Sequence, residues 1–371
     1  MKIAYVAKSN IPSTSANSIH VMKISECFEE LADSFELIVP EVQDKRRDQE
    51  IFNFYGIENR FPISRIKRKD WKGWYNYYFA LGAVRRILKT KCDAVITRDP
   101  LVAFLCVVIF HIHTVLDLHG ELAHICGRSY RIIKYDFFRR SKYLKFVMIT
   151  DSLVKYYERK YALDPALVTV LPDGCTLKNF VPYADRPLLE EEVMKLAYAG
   201  SFGVGRGYEM IQELAEYDKK NKYTIYGGTS KDAEKITGKE QPENIEFRGF
   251  IANAEIPGEL CRQDILLLPY QNTLIAKGED TGKVMSPLKL FEYMASGRVI
   301  IASDLPVLRE VVDESNCYFA NPENVNDWVE KIKYISEHRE EAKEKACKAA
   351  QDVKQYTWHQ RAEKMLELVK G

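Results

Sequence analysis

The segment from Gly282 to Asp304, GKVMSPLKLFEYMASGRVIIASD, decides how this chain folds. Ser286 is a favourable N-cap, Pro287 suits a first helical position and Gly297 suits a helix stop, so the spacing predicts a helix over about 287–296. The apolar run VIIASD that follows reads as a buried strand. Working outward, ILLLPY precedes the segment and CYFA follows it. Further upstream, MKLAYAGS, YTIYGG and IEFRGF have the same short apolar character, with helical patterns between them. Strands alternating with helices predict a parallel, doubly wound sheet.

The first half of the chain has the same rhythm. KIAYVA, FELIVP, DAVITRD, HTVLDLHG, KFVMIT and VTVLPDG read as strands. SIHVMKISECFEELAD, YYFALGAVRRILKTK and PLVAFLCVVIF read as helices, the last a buried one opened by Pro100. Pro172, Pro182 and Pro187 separate the two series and predict a hinge. Two Rossmann-like domains are therefore expected, over 1–175 and 176–354, with a final helix in 355–371. Ligands of such sheets bind beyond the carboxyl ends of the strands, so two domains facing each other are expected to form a cleft there.

A chain of 371 residues, 46% hydrophobic and 29% charged, is long enough for two cores and too apolar for disorder. Its net charge of +1 hides an asymmetry: residues 1–175 hold 27 Lys/Arg against 20 Asp/Glu, and the remainder 27 against 33. The basic half predicts contact with an anionic surface. Eight scattered cysteines without a CxxC pair fit a reducing cytosol. The N-terminus is too polar for a signal peptide. The longest apolar run, residues 101–110, falls short of the roughly 20 residues a membrane span needs.

The candidate chemistry lies in loops after strands. Lys289 falls in the first turn of the predicted helix, where a cation opposes the helix dipole unless an anion is present. Glu292 lies one turn on, on the same side, and suits a vicinal diol such as a ribose. The alternative is a capped surface helix with an incidental ion pair. In YAGSFGVGRGYEMI (198–211), Gly200, Gly203, Gly205 and Gly207 surround Arg206, a pattern that lets backbone and guanidinium approach a phosphate. The alternative there is a flexible turn with a solvated arginine. The first loop, VAKSNIPSTSANS, which contains Asn17, has no glycine, and this argues against a nicotinamide or flavin cofactor. TRDP supplies Arg98 and Asp99, and DLHGELAH supplies His119 and Glu121, both at strand ends. His111, His113 and His124 fall on different elements with no completing carboxylate or thiol, so no metal site is expected. There is no GxSxG elbow, Walker loop or Cys–His pair.

These residues resemble glycosyltransferase family 4, which has the GT-B fold. The resemblance covers almost the whole chain and is strongest at SPLKLFEYMASGRVIIASDLPVLREVV, then TRDP, LDLHGEL, VLPDG and YAGSFGVGRGYEMI. It implies a metal-independent, retaining enzyme, free of cofactors, that moves a sugar from a nucleoside-diphosphate sugar to a glycan or lipid-linked acceptor. It further implies that Glu292 holds the donor ribose and that Arg206 and Lys289 meet the diphosphate. Ser286, Pro287, Leu288, Gly203, Gly205 and Phe250 would complete the donor site. His119 would lie near the transferred sugar, with Asn17, Arg98, Asp99 and Glu121 on the acceptor or sugar side. The final helix, with Trp358, would cross back to the first domain. Two positions depart from the family pattern: Val284 stands where a second glutamate is usual, leaving Glu279 or Asp280 as substitutes, and Ser201 stands where an arginine is usual.

Residues 60–91 hold ten basic residues and one acid, interleaved with Trp71, Trp74, Tyr75, Tyr77, Tyr78 and Phe79. Residues 128–160 hold ten basic residues and three acids. Such composition suits an anionic membrane surface, so the expectation is a cytoplasmic protein peripheral on the inner face of a membrane, with no nucleic-acid partner. Two competing readings are a nucleotide-sugar 2-epimerase of the same fold and a non-catalytic sugar-nucleotide-binding protein at the membrane surface.

Overall fold

Two all-parallel sheets organise the molecule. They are seen in a computed structural model that describes residues 1–44, 46–67, 74–121, 127–276, 279–280 and 282–370. Trp71 and His124 lie outside the described residues, as does the side chain of Glu279. The polypeptide divides into two compact units: Met1–Asp173 together with Trp358–Gly371, and Gly174–Thr357. The boundaries expected from sequence were 175/176 and 354/355.

Unit 1 carries strands β1 (Lys2–Val6), β2 (Ser34–Pro40), β3 (Ile63–Ile66), β4 (Ala94–Thr97), β5 (His113–Leu118), β6 (Leu144–Met148) and β7 (Val168–Val170), in the order β3-β2-β1-β4-β5-β6-β7. Ile3 pairs with Phe35 on one side and Ala94 on the other. The strand order therefore reverses between β1 and β4, and the loops after those strands border the ligand crevice of such a sheet. Helices α1 (Ala16–Leu31), α2 (Asp48–Tyr55), α3 (Tyr75–Thr90), α4 (Pro100–Phe104), α5 (Asp136–Arg139) and α6 (Asp151–Tyr161) cover it. Strand β3, the ISRI within the first basic stretch, was not anticipated; its short alternation was hidden by the charges around it. The run 100–110 was expected to be one buried helix. Instead α4 gives way to a π-helical turn at Leu105–Ile109, Ile109 and Phe110 are exposed, and His111 at φ 54° turns the chain into β5.

Unit 2 repeats the plan with β8 (Lys195–Ala199), β9 (Lys222–Tyr226), β10 (Ile245–Gly249), β11 (Ile265–Leu268), β12 (Val299–Ser303) and β13 (Tyr318–Ala320), in the order β10-β9-β8-β11-β12-β13. Its reversal lies between β8 and β11, where Ile265 pairs with Leu196. Alternate residues feed two cores, as the period of a strand requires. Leu196, Tyr198, Ile265, Leu267 and Ile301 pack with Trp328 on one face. Ala197, Ala199, Leu266, Leu268 and Ile300 pack with Phe291 and Met294 on the other.

The helices of unit 2 are α7 (Tyr208–Tyr217), α8 (Ser230–Thr237), α9 (Ile256–Leu260), α10 (Leu288–Ala295), α11 (Val325–Glu337) and α12 (Arg339–Asp352). Helix α10 begins one residue later than predicted. Pro287 is its cap, held at ψ 115° without a side-chain cap bond, and Ser286 lies outside. Gly297, at φ 62°, takes the left-handed conformation that ends the helix. The last helix, α13 (Trp358–Lys370), belongs to unit 1 and packs along α1 and β5.

Candidate functional site

In unit 2 the candidate residues gather at the carboxyl ends of β8 and β11. Lys289 projects from the first turn of α10 back across the sheet. Its Nζ is buried without a hydrogen-bond partner among the described residues. It lies 4.0 Å from the ring centre of Tyr198 and 5.1 Å from that of Tyr270, both buried phenols. It also fills the space beside Gly200, where any Cβ would collide with it. Burial, reinforced by the nearby Arg206 and opposed by Glu292, holds the Lys289 amine well below the usual lysine range. The phenol of Tyr270 is pushed up to about 12 by burial. Sequence spacing placed Lys289 beside Glu292; the aromatic walls were not foreseen, because Tyr198 and Tyr270 come from strands distant in sequence.

The glycine-rich loop serves two purposes. Arg206 folds over Gly203, whose Cβ position lies 3.3 Å from its Nε, and makes no ion pair among the described residues. Gly205 and Gly207, by contrast, are required by packing. Both have positive φ, 80° and 81°, and a Cβ would collide with the carbonyl oxygens of Thr273 and Pro269 respectively. Gln271 N donates to Gly205 O at 2.9 Å, and Ile275 N to Val204 O at 3.2 Å, so the loop is stitched to the segment leaving β11. Asp280, a suggested substitute for the acid absent at Val284, accepts from Leu274 N and Gly282 N and so closes a turn. Phe250, just beyond β10, is largely exposed. Leu288 opens α10, where the first amides have no intrahelical acceptor.

Unit 1 holds a second, largely buried cluster. His119 follows β5; its Nε2 lies 2.8 Å from Asp117 Oδ2. Arg361 of α13 donates to Asp117 Oδ1 at 2.7 Å and to the carbonyls of Leu171 and Pro172. His20 of α1 binds Asp173 Oδ1 through Nδ1 at 2.9 Å. The imidazoles of His20 and His119 meet edge to face at 4.5 Å, and Trp358 closes the far side of His20 at 4.9 Å. Burial drives His20 down to about 3 and lowers His119 as well, so both are neutral near pH 7 and their carboxylate contacts are hydrogen bonds rather than ion pairs. Burial pushes Asp117 up, but His119 and Arg361 outweigh it and hold the carboxyl far below the usual range.

His20, Asp117 and His119 present ligand atoms within 4.8 Å of one another, a spacing that could hold a metal ion. The guanidinium of Arg361 already sits on the same carboxylate and supplies the positive charge a cation would bring, so the donor set fits a metal poorly. Among the residues expected on the acceptor side, Asn17 bridges Arg98 and Ser9. Asp99 is buried, caps α4 through Leu101 N and Val102 N, and pairs with Lys8 at 2.8 Å, so its role is structural. Glu121 pairs with Lys160. His20, Asp173 and Arg361 were missed from sequence; Trp358 was noted only for its helix.

A family model described as glycosyl transferase-like matches residues 206–367. An uncharacterized 41.2 kDa protein in the cps region of Klebsiella pneumoniae is 26% identical over 214 residues, 54% of this chain and 56% of that relative, so the chain matches about half the relative's length. A glycosyltransferase from Rickettsia africae ESF-5 superposes with a TM-score of 0.76 at 14% identity, over 100% of this chain and 98% of that one. HepE of Anabaena, crystallised with UDP, superposes with a TM-score of 0.73 at 12% identity over 100% of both chains. Two parallel-sheet α/β units that match these neighbours constitute the GT-B fold, and residues 206–367 are similar to the glycosyl transferase-like family.

Proposed function

We propose that this protein transfers a sugar from a nucleoside-diphosphate sugar to a glycan or lipid-linked acceptor, with retention of configuration and without a metal ion. The observation that carries the reading is the buried, unpartnered Lys289 amine beside Arg206 at the β8–β11 reversal, at the start of α10. A diphosphate there meets two cations and the exposed amides of a helix N-terminus. As the glycosidic bond breaks, negative charge grows on the leaving diphosphate, and preorganised positive groups favour that state over the intact donor. Glu292 suits the ribose diol. With no carboxylate nucleophile assigned, attack comes from the face the diphosphate leaves, and a phosphate oxygen takes the acceptor's proton.

HepE binds UDP, which supports a nucleotide ligand of this class. A thermal-shift panel of nucleoside diphosphates and their sugars tests the site and identifies the base. The reading fails if no nucleotide stabilises the protein, or if Glu292→Ala keeps full transfer activity at low donor concentration.

The acceptor side of the proposal includes an anionic membrane. Helix α3 buries Phe79, Ala83, Val84 and Ile87 and turns out Trp74 (63% exposed), Tyr77, Tyr78, Leu81 (60% exposed) and Leu88. Exposed Arg85 and Lys89 share that face. An apolar stripe with basic neighbours suits the headgroup region of a bilayer. Among the described residues no helix is long and apolar enough to cross a membrane. Failure to co-sediment with anionic vesicles at low salt would remove this part of the reading.

A further inference from the structure

A buried lysine without a hydrogen-bonding partner is costly to keep charged, because the ammonium gives up its water and receives nothing in return. Lys289 is in that position. Its amine is enclosed by Tyr198 from β8, Tyr270 after β11 and the backbone at Gly200. Among the described residues the charged groups that act on it are Arg206 in the glycine loop, which disfavours a second cation, and Glu292 on its own helix, which favours one. The two ring faces offer an ammonium some attraction, less than its lost hydration. The place it fills is beside Gly200–Ser201, the turn after β8. Ser201 brings no charge to that turn, so the basic group beside it is an amine able to change its charge.

We propose that Lys289 is a proton-coupled anion receptor: its amine is neutral in the empty pocket and takes a proton from solvent when a diphosphate enters, so that donor binding and proton uptake are one event. The proposal rests on the donor-site reading above and deepens it. Its chemistry is a single transfer, from water or buffer to the Nζ lone pair, with the diphosphate supplying the negative charge that makes the ammonium stable. Because the free amine has the lower pKa and the bound amine the higher, affinity is greatest below the free value. It falls by up to tenfold per pH unit between the two values, and levels off above the bound value. Product release follows the same linkage in reverse, since the departing diphosphate leaves the proton without its counter-charge.

Calorimetric titration of the full chain at pH 8 tests this, using UDP, GDP and ADP, whose phosphates are almost fully ionised at that pH, with inorganic pyrophosphate, which still carries a proton there, as a probe of binding alone. Each titration is run in two buffers of different ionisation enthalpy. The expected result is uptake of up to one proton for the tightest nucleotide. Lys289→Met should lose both the uptake and at least tenfold in affinity. Lys289→Arg should bind with no uptake and with affinity independent of pH from 7 to 9. Wild-type binding without uptake, or uptake that persists in Lys289→Met, overturns the proposal and leaves the donor site standing. No binding by any of the four probes overturns the donor-site reading, and the proposal with it.

Discussion

The two units bury basic side chains in opposite ways. In unit 1 the guanidinium of Arg361, only 2% exposed, pairs with the Asp117 carboxylate and donates to the carbonyls of Leu171 and Pro172 through its terminal nitrogens, while its buried Nε has no hydrogen-bond partner among the described residues. In unit 2 the amine of Lys289 is buried against two phenol rings with no hydrogen bond among the described residues. A basic group paired with a buried carboxylate holds a structure together, whereas one without such a partner marks the place where an anion is to be added. The comparison separates a scaffold cluster from a receptor cluster, although each sits at the strand ends of its own sheet.

The same kind of substitution should therefore act with opposite sign. Arg361→Met leaves Asp117 charged and buried without its partner, and should cost about 3–5 kcal/mol, read as a lower denaturation midpoint. If the loss is under 1 kcal/mol, the cluster is not the fastening described. Gly207→Ala tests packing in unit 2: a Cβ meets Pro269 O at a positive φ, so a loss of about 1–3 kcal/mol is expected with or without nucleotide. Lys289→Met should instead raise the midpoint of the unliganded protein by about 1–2 kcal/mol, because it removes an unsatisfied buried group. A fall in stability would mean that the amine is already satisfied.

Acid gives a further contrast. His20 and His119 have folded pKa values below the unfolded value of about 6.5, so the unfolded chain binds more protons as pH falls. Stability should decline from near pH 7 downward, at up to about 1.4 kcal/mol per pH unit for each histidine, and His20→Gln should shallow that slope. Asp117 and Asp173 act the same way at lower pH: their depressed values add stability above about pH 4 that is lost as pH falls through them. A pH-independent midpoint between 7 and 5 would contradict the neutral histidine pair. The smallest effect on stability, within about 0.5 kcal/mol, is expected for the exposed Leu81→Glu, read instead as weaker vesicle binding.

Much of unit 2 was legible in the sequence, because its signals are local. A strand, a glycine loop, a lysine in a first turn and a glycine stop are each contained in about twenty residues, and the family resemblance rests on those stretches. The buried cluster of unit 1 was not legible. His20 reaches Asp173 across 153 positions and Arg361 reaches Asp117 across 244. A buried arginine in a charged helix looks like a surface one until its neighbours are known. Gly205 and Gly207 show the converse: the sequence marks the glycines, but not the close approach of Thr273 and Pro269 that requires them. The early end of α4 was illegible because an apolar run carries no sign of where a helix changes its winding.

Arg361 and Trp358 also set an order of events. Unit 2 is one continuous stretch, Gly174–Thr357, while unit 1 is interrupted by it and completed by α13. On the ribosome, Asp117 and Asp173 emerge long before the arginine that neutralises Asp117. The unit begun first is therefore the unit finished last, and Asp117 must wait for its guanidinium until the whole of unit 2 has been made.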